Sequence, residues 1–339
     1  MRAQRILAVI PGRQDGQTFI FAHRQVAQLR RLGFDVTTFS LLERTNPRGL
    51  LQEARRFRAM VQSWSPDVVH AHYGTVTALF AALLSRRPLV ISFRGTDLNP
   101  SSEHSSLRGA VSRWMSQGAA LFAREIICVS PQLRGRLWWR RNRVHVILDG
   151  VDPTEFYPIE RDEARRRLGW SIGERIVLFN HGAARAPNKR RDLVEGALAL
   201  LRERLPEVRL VVMEGEVPGD LVPLYVNAAD AVVLASDFEG SPNIVKEAIA
   251  CAVPVCSVDA GDVSELLAGV SASVVVERSA AAIAAGLEPL LRMPQRSNGP
   301  YFAERYSTSA HVARVAEILR VAGAARCARS NATVDNVQQ

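Results

Sequence analysis

Short, wholly apolar runs alternate with amphipathic stretches along most of the chain. Residues 6–10 are five consecutive apolar positions closed by Pro11-Gly12, the pattern of a strand buried on both faces in a parallel sheet. A loop over 11–17 leads into residues 19–32, whose apolar positions have helical spacing and stop at Gly33, a C-terminal cap. Residues 35–39 form the next strand. This strand-loop-helix-strand opening predicts a doubly wound α/β sheet, with ligands at the carboxyl ends of its strands. The same reading predicts a basic helix over 50–64, a strand running into His70-Ala-His72, and a strand over 88–93 leading to Arg94-Gly-Thr-Asp97. A polar loop over 101–106 and a helix over 112–124 follow, then strands over 125–129 and 144–148 with the segment 130–143 between them. A second series holds strands over 175–179, 209–214 and 231–235, helices over 162–168, 192–205, 220–228 and 280–291, and a helix pair over 301–322. From residue 323 the chain is small and polar, and reads as a disordered tail.

The length of 339 residues suits two domains of ordinary size. No apolar run reaches a membrane span. The basic N-terminus before residues 6–10 is too short in its apolar part for a signal peptide. Four cysteines, Cys128, Cys251, Cys256 and Cys327, lack metal spacing, a cytoplasmic pattern. Charge is asymmetric: residues 1–150 hold 22 arginines against nine acids, for +13, and the remainder 21 basic residues against 25 acids, for −4. The first half therefore suits an anionic partner. Only Lys189 and Lys246 are lysines, the other 41 basic residues being arginine, so a retained lysine carries information.

The most informative stretch runs from Ser236 to Val255. Ser241 reads as an N-cap and Pro242 as a first helical residue. The amides of Asn243, Ile244 and Val245 then point out of a helix end that attracts anions. Glu239 precedes this end and Glu247 lies inside it, roughly 12 Å apart on ideal helix geometry. Two carboxylates around an anion site suit a ligand with hydroxyls at both ends and a diphosphate between, the layout of a nucleotide sugar.

Glu239, Glu247, the Pro254-Val255 strand, Gly261 and Glu265 resemble the donor-site signature of glycosyltransferase family 4, the retaining GT-B enzymes. Asp149-Gly-Val-Asp-Pro-Thr-Glu-Phe-Tyr-Pro158 is similar to the family's interdomain crossover. The resemblance covers about residues 5–320. It implies two Rossmann-like doubly wound domains facing a central cleft: an acceptor-side domain over 1–152, a nucleotide-sugar domain over 153–300, and terminal helices over 301–322 packing back toward the first domain.

The resemblance also implies roles. Lys189 and Arg185 would meet the diphosphate, Arg185 standing only four residues before the lysine where the family spacing is five or six. Glu239 would hold sugar hydroxyls and Glu247 the ribose. Gly240, Ser241, Pro242, Asn243, Ile244 and Val245 would line the donor, with Glu214 beside the nucleobase and Gly16 in the first loop. His72 would orient the sugar. Gly12, Arg94 and Asp97 would face the acceptor, Arg94 replacing the family's usual His. The implied reaction is metal-free transfer from a nucleotide-diphosphate sugar to a glycan or polyprenyl-diphosphate-linked acceptor, in surface-polysaccharide assembly of the teichuronic-acid type. Cofactors are not expected. A catalytically impaired binding module and a nucleotide-sugar epimerase on the same fold are the competing readings.

Leu137-Trp-Trp-Arg-Arg141 suits either core packing or an interfacial contact with an anionic membrane. The second reading makes the protein peripheral on the inner face of the membrane. No motif supports nucleic-acid binding.

Overall fold

A computed structural model describes residues 2–12, 19–99, 106–182 and 187–335. They fall into two compact units. Residues 2–99, 106–148 and 311 onward form the first, and residues 149–310 the second.

The first unit is built on six strands: β1 (Arg5–Pro11), β2 (Asp35–Leu41), β3 (Val68–His72), β4 (Leu89–Phe93), β5 (Glu125–Cys128) and β6 (Val144–Val146). All pairs are parallel, in the order β2-β1-β3-β4-β5-β6. The apolar run of β1 follows from burial on both faces, since neighbouring side chains point to opposite sides. Leu7 and Val9 join Phe39, Phe57 and Phe80 on one face. Ile6, Ala8 and Ile10 join Val26, Leu29 and, from far along the chain, Val312, Val315 and Leu319 on the other. His311 fastens that late segment: its ring nitrogens bond Gln25 Nε2 at 2.7 Å and the Leu148 carbonyl at 2.6 Å.

The second unit has five parallel strands, β7 (Arg175–Asn180), β8 (Val208–Met213), β9 (Ala231–Leu234), β10 (Val255–Val258) and β11 (Val274–Val276), ordered β11-β10-β9-β7-β8. Val177 and Phe179 pack on one face, Ile176 and Leu178 on the other. Both sheets share one topology: the first strand lies between the second and the third. The chain reverses its winding direction there, so the loops leaving the first and third strands part and leave a crevice at their carboxyl ends.

The doubly wound α/β architecture expected from the sequence is present in both units. Several details differ. Segment 130–143, to which the sequence assigned no element, holds a short helix, Pro131–Gly135, and a 3-10 turn, Arg141–Arg143. The helix expected over 112–124 is Ser106–Phe122. The last helix runs from Thr308 to Asp335, through the segment read as a disordered tail. Ala324, Ala325, Ala328 and Ala332 lie in that segment, and their low side-chain entropy favours helix beyond the apolar residues 312–322. Among the described residues no helix is long and apolar enough to cross a membrane.

Candidate functional site

In the second unit the loop after β7 carries Lys189 and the loop after β9 carries Glu239. The topology thus sets them side by side: Lys189 Nζ lies 2.6 Å from Glu239 Oε1. Ser236 Oγ donates to the same oxygen at 2.7 Å. The loops are also joined through the backbone, Asp237 N–H donating to the Asn188 carbonyl at 2.8 Å, while Asn188 Nδ2 donates to the Phe238 carbonyl at 3.3 Å. Lys189 and Glu239 both stay partly open to solvent. Arg190 turns to Asp192 and Asp237. Arg191 pairs with Glu195 and, at 2.6 Å, with Glu214, which also meets His181. Glu214 is therefore placed by a neighbouring arginine.

Three residues beyond Gly240 the helix Asn243–Ala250 begins, and its cap differs from expectation. Pro242 occupies the N-cap position and no side chain caps the helix. The Ser241 hydroxyl points elsewhere, donating to Asp262 Oδ2 at 2.8 Å and accepting from Lys246 Nζ at 3.1 Å. Val245 N–H is not free: it closes a turn onto the Pro242 carbonyl. The amides of Asn243 and Ile244 have no partner among the described residues, which leaves them to an anion. Glu247 is half-buried in the same helix.

Behind this helix start lies a buried network that the sequence reading missed. Lys246, buried at 1% exposure, also donates to the Asp149 carbonyl at 2.8 Å. Burial raises Asp262 to about 6, against the opposing pull of Lys246 and the Ser241 hydroxyl. Gly261 brings this loop close: it sits at φ +70°, and a Cβ there would meet the Gly240 carbonyl at 2.8 Å. The available signal was that Lys246 is one of two lysines in an arginine-rich chain.

In the first unit β3 ends at His72, which is fully buried, with neither ring nitrogen hydrogen-bonded among the described residues. Its ring lies 4.0 Å from that of His70, whose Nε2 meets Ser92 Oγ at 2.8 Å. Burial, then the charges of Arg94 and His311, lower His70 to about 3. Burial first, then His70 and Arg94, lowers His72 as well. Both rings are neutral near pH 7.

Asp97 does not present its carboxylate to a ligand. It is fully buried and accepts from the amides of Gly74 at 2.9 Å, Gly95 at 2.9 Å and Arg94 at 3.1 Å. It is an organiser of the loop Tyr73-Gly74-Thr75, where Tyr73 and Thr75 both hold positive φ. Burial raises its pKa, while those amide bonds pull it down. Arg94 lies over the Phe21 ring at 4.4 Å. Gly12 has φ +92° and donates to the Leu41 carbonyl at 3.0 Å. Gly16 and Arg185 lie outside the described residues. Among the described residues no three His, Cys, Asp or Glu side chains are grouped to hold a metal ion.

Comparison with known proteins bears on this geometry. Residues 12–155 match the model of Glycosyltransferase Family 4, and residues 178–293 that of Glycosyl transferases group 1. A Bacillus subtilis protein described as a candidate teichuronic acid biosynthesis glycosyltransferase, TuaC, is 28% identical over 236 residues, covering 65% of this chain and 60% of that one. Matches to two further relatives span 50% and 49% of their lengths. Among solved structures, sucrose-phosphate synthase from Thermosynechococcus elongatus superposes with a TM-score of 0.77 at 16% identity, covering 95% of this chain and 100% of that one. Anabaena HepE, solved with UDP and glucose, has a TM-score of 0.71 at 19% identity, covering 94% and 100%. Likeness at these identities concerns the fold, a GT-B pair of parallel-sheet domains.

Proposed function

We propose that this chain, whose residues 12–155 match Glycosyltransferase Family 4 and 178–293 Glycosyl transferases group 1, is a glycosyltransferase that moves a sugar, with retention, from a nucleoside-diphosphate donor to a glycan or lipid-linked acceptor in cell-surface polysaccharide assembly. The observation that carries this reading is the Lys189–Glu239 pair, 2.6 Å apart, with Glu239 four residues before Asn243, the start of a helix that no side chain caps among the described residues.

In the free protein Lys189 and Glu239 neutralise one another. A diphosphate reaching the Asn243 and Ile244 amides competes for Lys189, and Glu239 is released to accept from sugar hydroxyls. As the bond between the anomeric carbon and the phosphate oxygen breaks, negative charge grows on the diphosphate. Fixed cations and amides stabilise such charge best because they need not reorganise. The acceptor oxygen bonds to the anomeric carbon from the same face, and its proton passes to the leaving phosphate. Glu247 accepts from the ribose. HepE, solved with UDP and glucose, supports a nucleotide-sugar donor, and TuaC supports the polysaccharide setting.

The test is a thermal-shift screen of nucleotide sugars, followed by turnover assays and NMR of the product's anomeric configuration. A ligand at 100 times its Kd adds about 2.7 kcal/mol of stability. Lys189→Met should remove most of the shift from a nucleoside diphosphate and little of that from the nucleoside. Binding indifferent to Lys189→Met, or turnover with inversion, would refute the respective part of the proposal.

A further inference from the structure

The helix Ser106–Phe122 buries one side only. Ala119 and Ala120 sit in the core of the first unit, whereas Leu107, Val111, Trp114, Leu121 and Phe122 are 43–74% exposed. Positions 107, 111, 114 and 121 share one face, a stripe about 21 Å long at 1.5 Å per residue. Trp138, 48% exposed, stands edge-on to Trp114 with ring centroids 4.4 Å apart. Trp139 turns inward instead. Its Nε1 donates to the Gln117 carbonyl at 2.7 Å, and its ring packs against the core. The two residues of the Trp138-Trp139 pair thus have opposite fates, and the outward partner of Trp138 is Trp114.

The surroundings are basic. Residues 104–148 contain eight arginines and one acid, Glu125, and that acid is engaged by Arg143 and His145. Arg140 reaches the Ala123 carbonyl, and Arg141 the carbonyls of Leu137 and Gly135. These contacts leave both charges without an acidic partner among the described residues. A second copy of this face would set arginine against arginine, which opposes association. An anionic bilayer offers what the face lacks: negative headgroups for the arginines and an interfacial layer for tryptophan rings.

We propose that the exposed face of the helix Ser106–Phe122, with Trp114 and Trp138, docks on an anionic lipid bilayer. This deepens the reading above, because a lipid-linked acceptor is presented at such a surface, and it rests on that reading only for its purpose.

The experiment is co-flotation of the full chain with vesicles of phosphatidylglycerol and phosphatidylcholine, or of phosphatidylcholine alone, at low and high salt. Binding should favour the anionic vesicles and fall in part at high salt, where screening shortens the reach of the arginines. Arg140→Gln with Arg141→Gln should lower the partition coefficient about 30-fold, the factor for two basic charges at such a surface. Trp114→Ala with Trp138→Ala should remove the salt-resistant part. If that variant melts early, Leu107→Glu with Val111→Glu, both at exposed positions, makes the same test. Equal binding to both vesicles, no binding, or a concentration-dependent doubling of mass abolished by Leu107→Glu overturns the proposal. Nucleotide binding sensitive to Lys189→Met would survive any of these outcomes, so failure of docking is distinct from failure of the transferase reading.

Discussion

Acid should weaken the first unit through His70, and His70→Gln should blunt that response. The ring is fully buried against His72, and burial with the nearby Arg94 and His311 charges lowers its pKa from 6.5 to about 3. Because the folded value is below the unfolded one, the stability it contributes is complete above pH 6.5. It drains away as the pH falls toward 3, since the unfolded chain takes up a proton that the folded one refuses. The slope is about 1.4 kcal/mol per pH unit, so moving from 6.5 to 5 costs about 2 kcal/mol. His72 is shifted the same way. Asp97, raised by burial in the same unit, acts in the opposite sense. Comparing wild type with His70→Gln leaves Asp97 in place on both sides, and the glutamine amide can still reach Ser92. Urea unfolding at pH 7, 6 and 5, followed by tryptophan fluorescence, reports chiefly on this unit, which holds Trp64, Trp114, Trp138 and Trp139 of the five tryptophans. Equal losses between pH 7 and 5 in both proteins would refute the argument.

Three further outcomes are expected. Glu239→Gln should reduce turnover more than nucleotide affinity, and Glu247→Ala should weaken binding of the bare nucleoside diphosphate by about 1.5–3 kcal/mol; calorimetry showing equal losses, with normal turnover at saturation, contradicts the division of roles. Gly261→Ala, at φ +70° and 2.8 Å from the Gly240 carbonyl, should destabilise by more than about 1 kcal/mol, and an unchanged melting curve argues against it. Lys246→Met should cost about 1.5–3 kcal/mol, because the Asp149 carbonyl and the Ser241 hydroxyl lose a charged donor, while Lys246→Arg, with a larger head group in a buried position, should recover only part of it; full stability in Lys246→Met under chemical denaturation would show that the network is incidental.

The architecture was legible because burial on two faces leaves an unmistakable trace. Residues 6–10 and 231–235 are apolar at every position, and a parallel strand is the simplest way to cover both sides. Strand β11, only three valines long, carries no such trace. The placement of Lys189 beside Glu239 was implied by the topology, because loops from adjacent strands must meet. What stayed hidden depends on which way one side chain turns. Ser241 has the composition of a cap, yet a buried aspartate 21 residues later takes its hydroxyl. Asp97 looks like a ligand group but is consumed by three loop amides. Trp138 and Trp139 are chemically identical neighbours, yet one ring meets Trp114 and the other the Gln117 carbonyl and the core. Such choices are set by contacts between residues distant in sequence, which composition and periodicity do not record.

The core of the first unit has a consequence for synthesis. One face of its sheet is completed by Val312, Val315 and Leu319, whereas the described residues of the second unit all lie within 149–310. On the ribosome Ile6, Ala8 and Ile10 therefore cannot complete that face until residues 312–319 have been made. The second unit, translated later, has all its strands available sooner after its own first residue appears. Until residues 312–319 are made, Ile6, Ala8 and Ile10 have only the early part of their cluster, Val26 and Leu29 among it, to cover them, and apolar surface left open in a nascent chain is what chaperones bind.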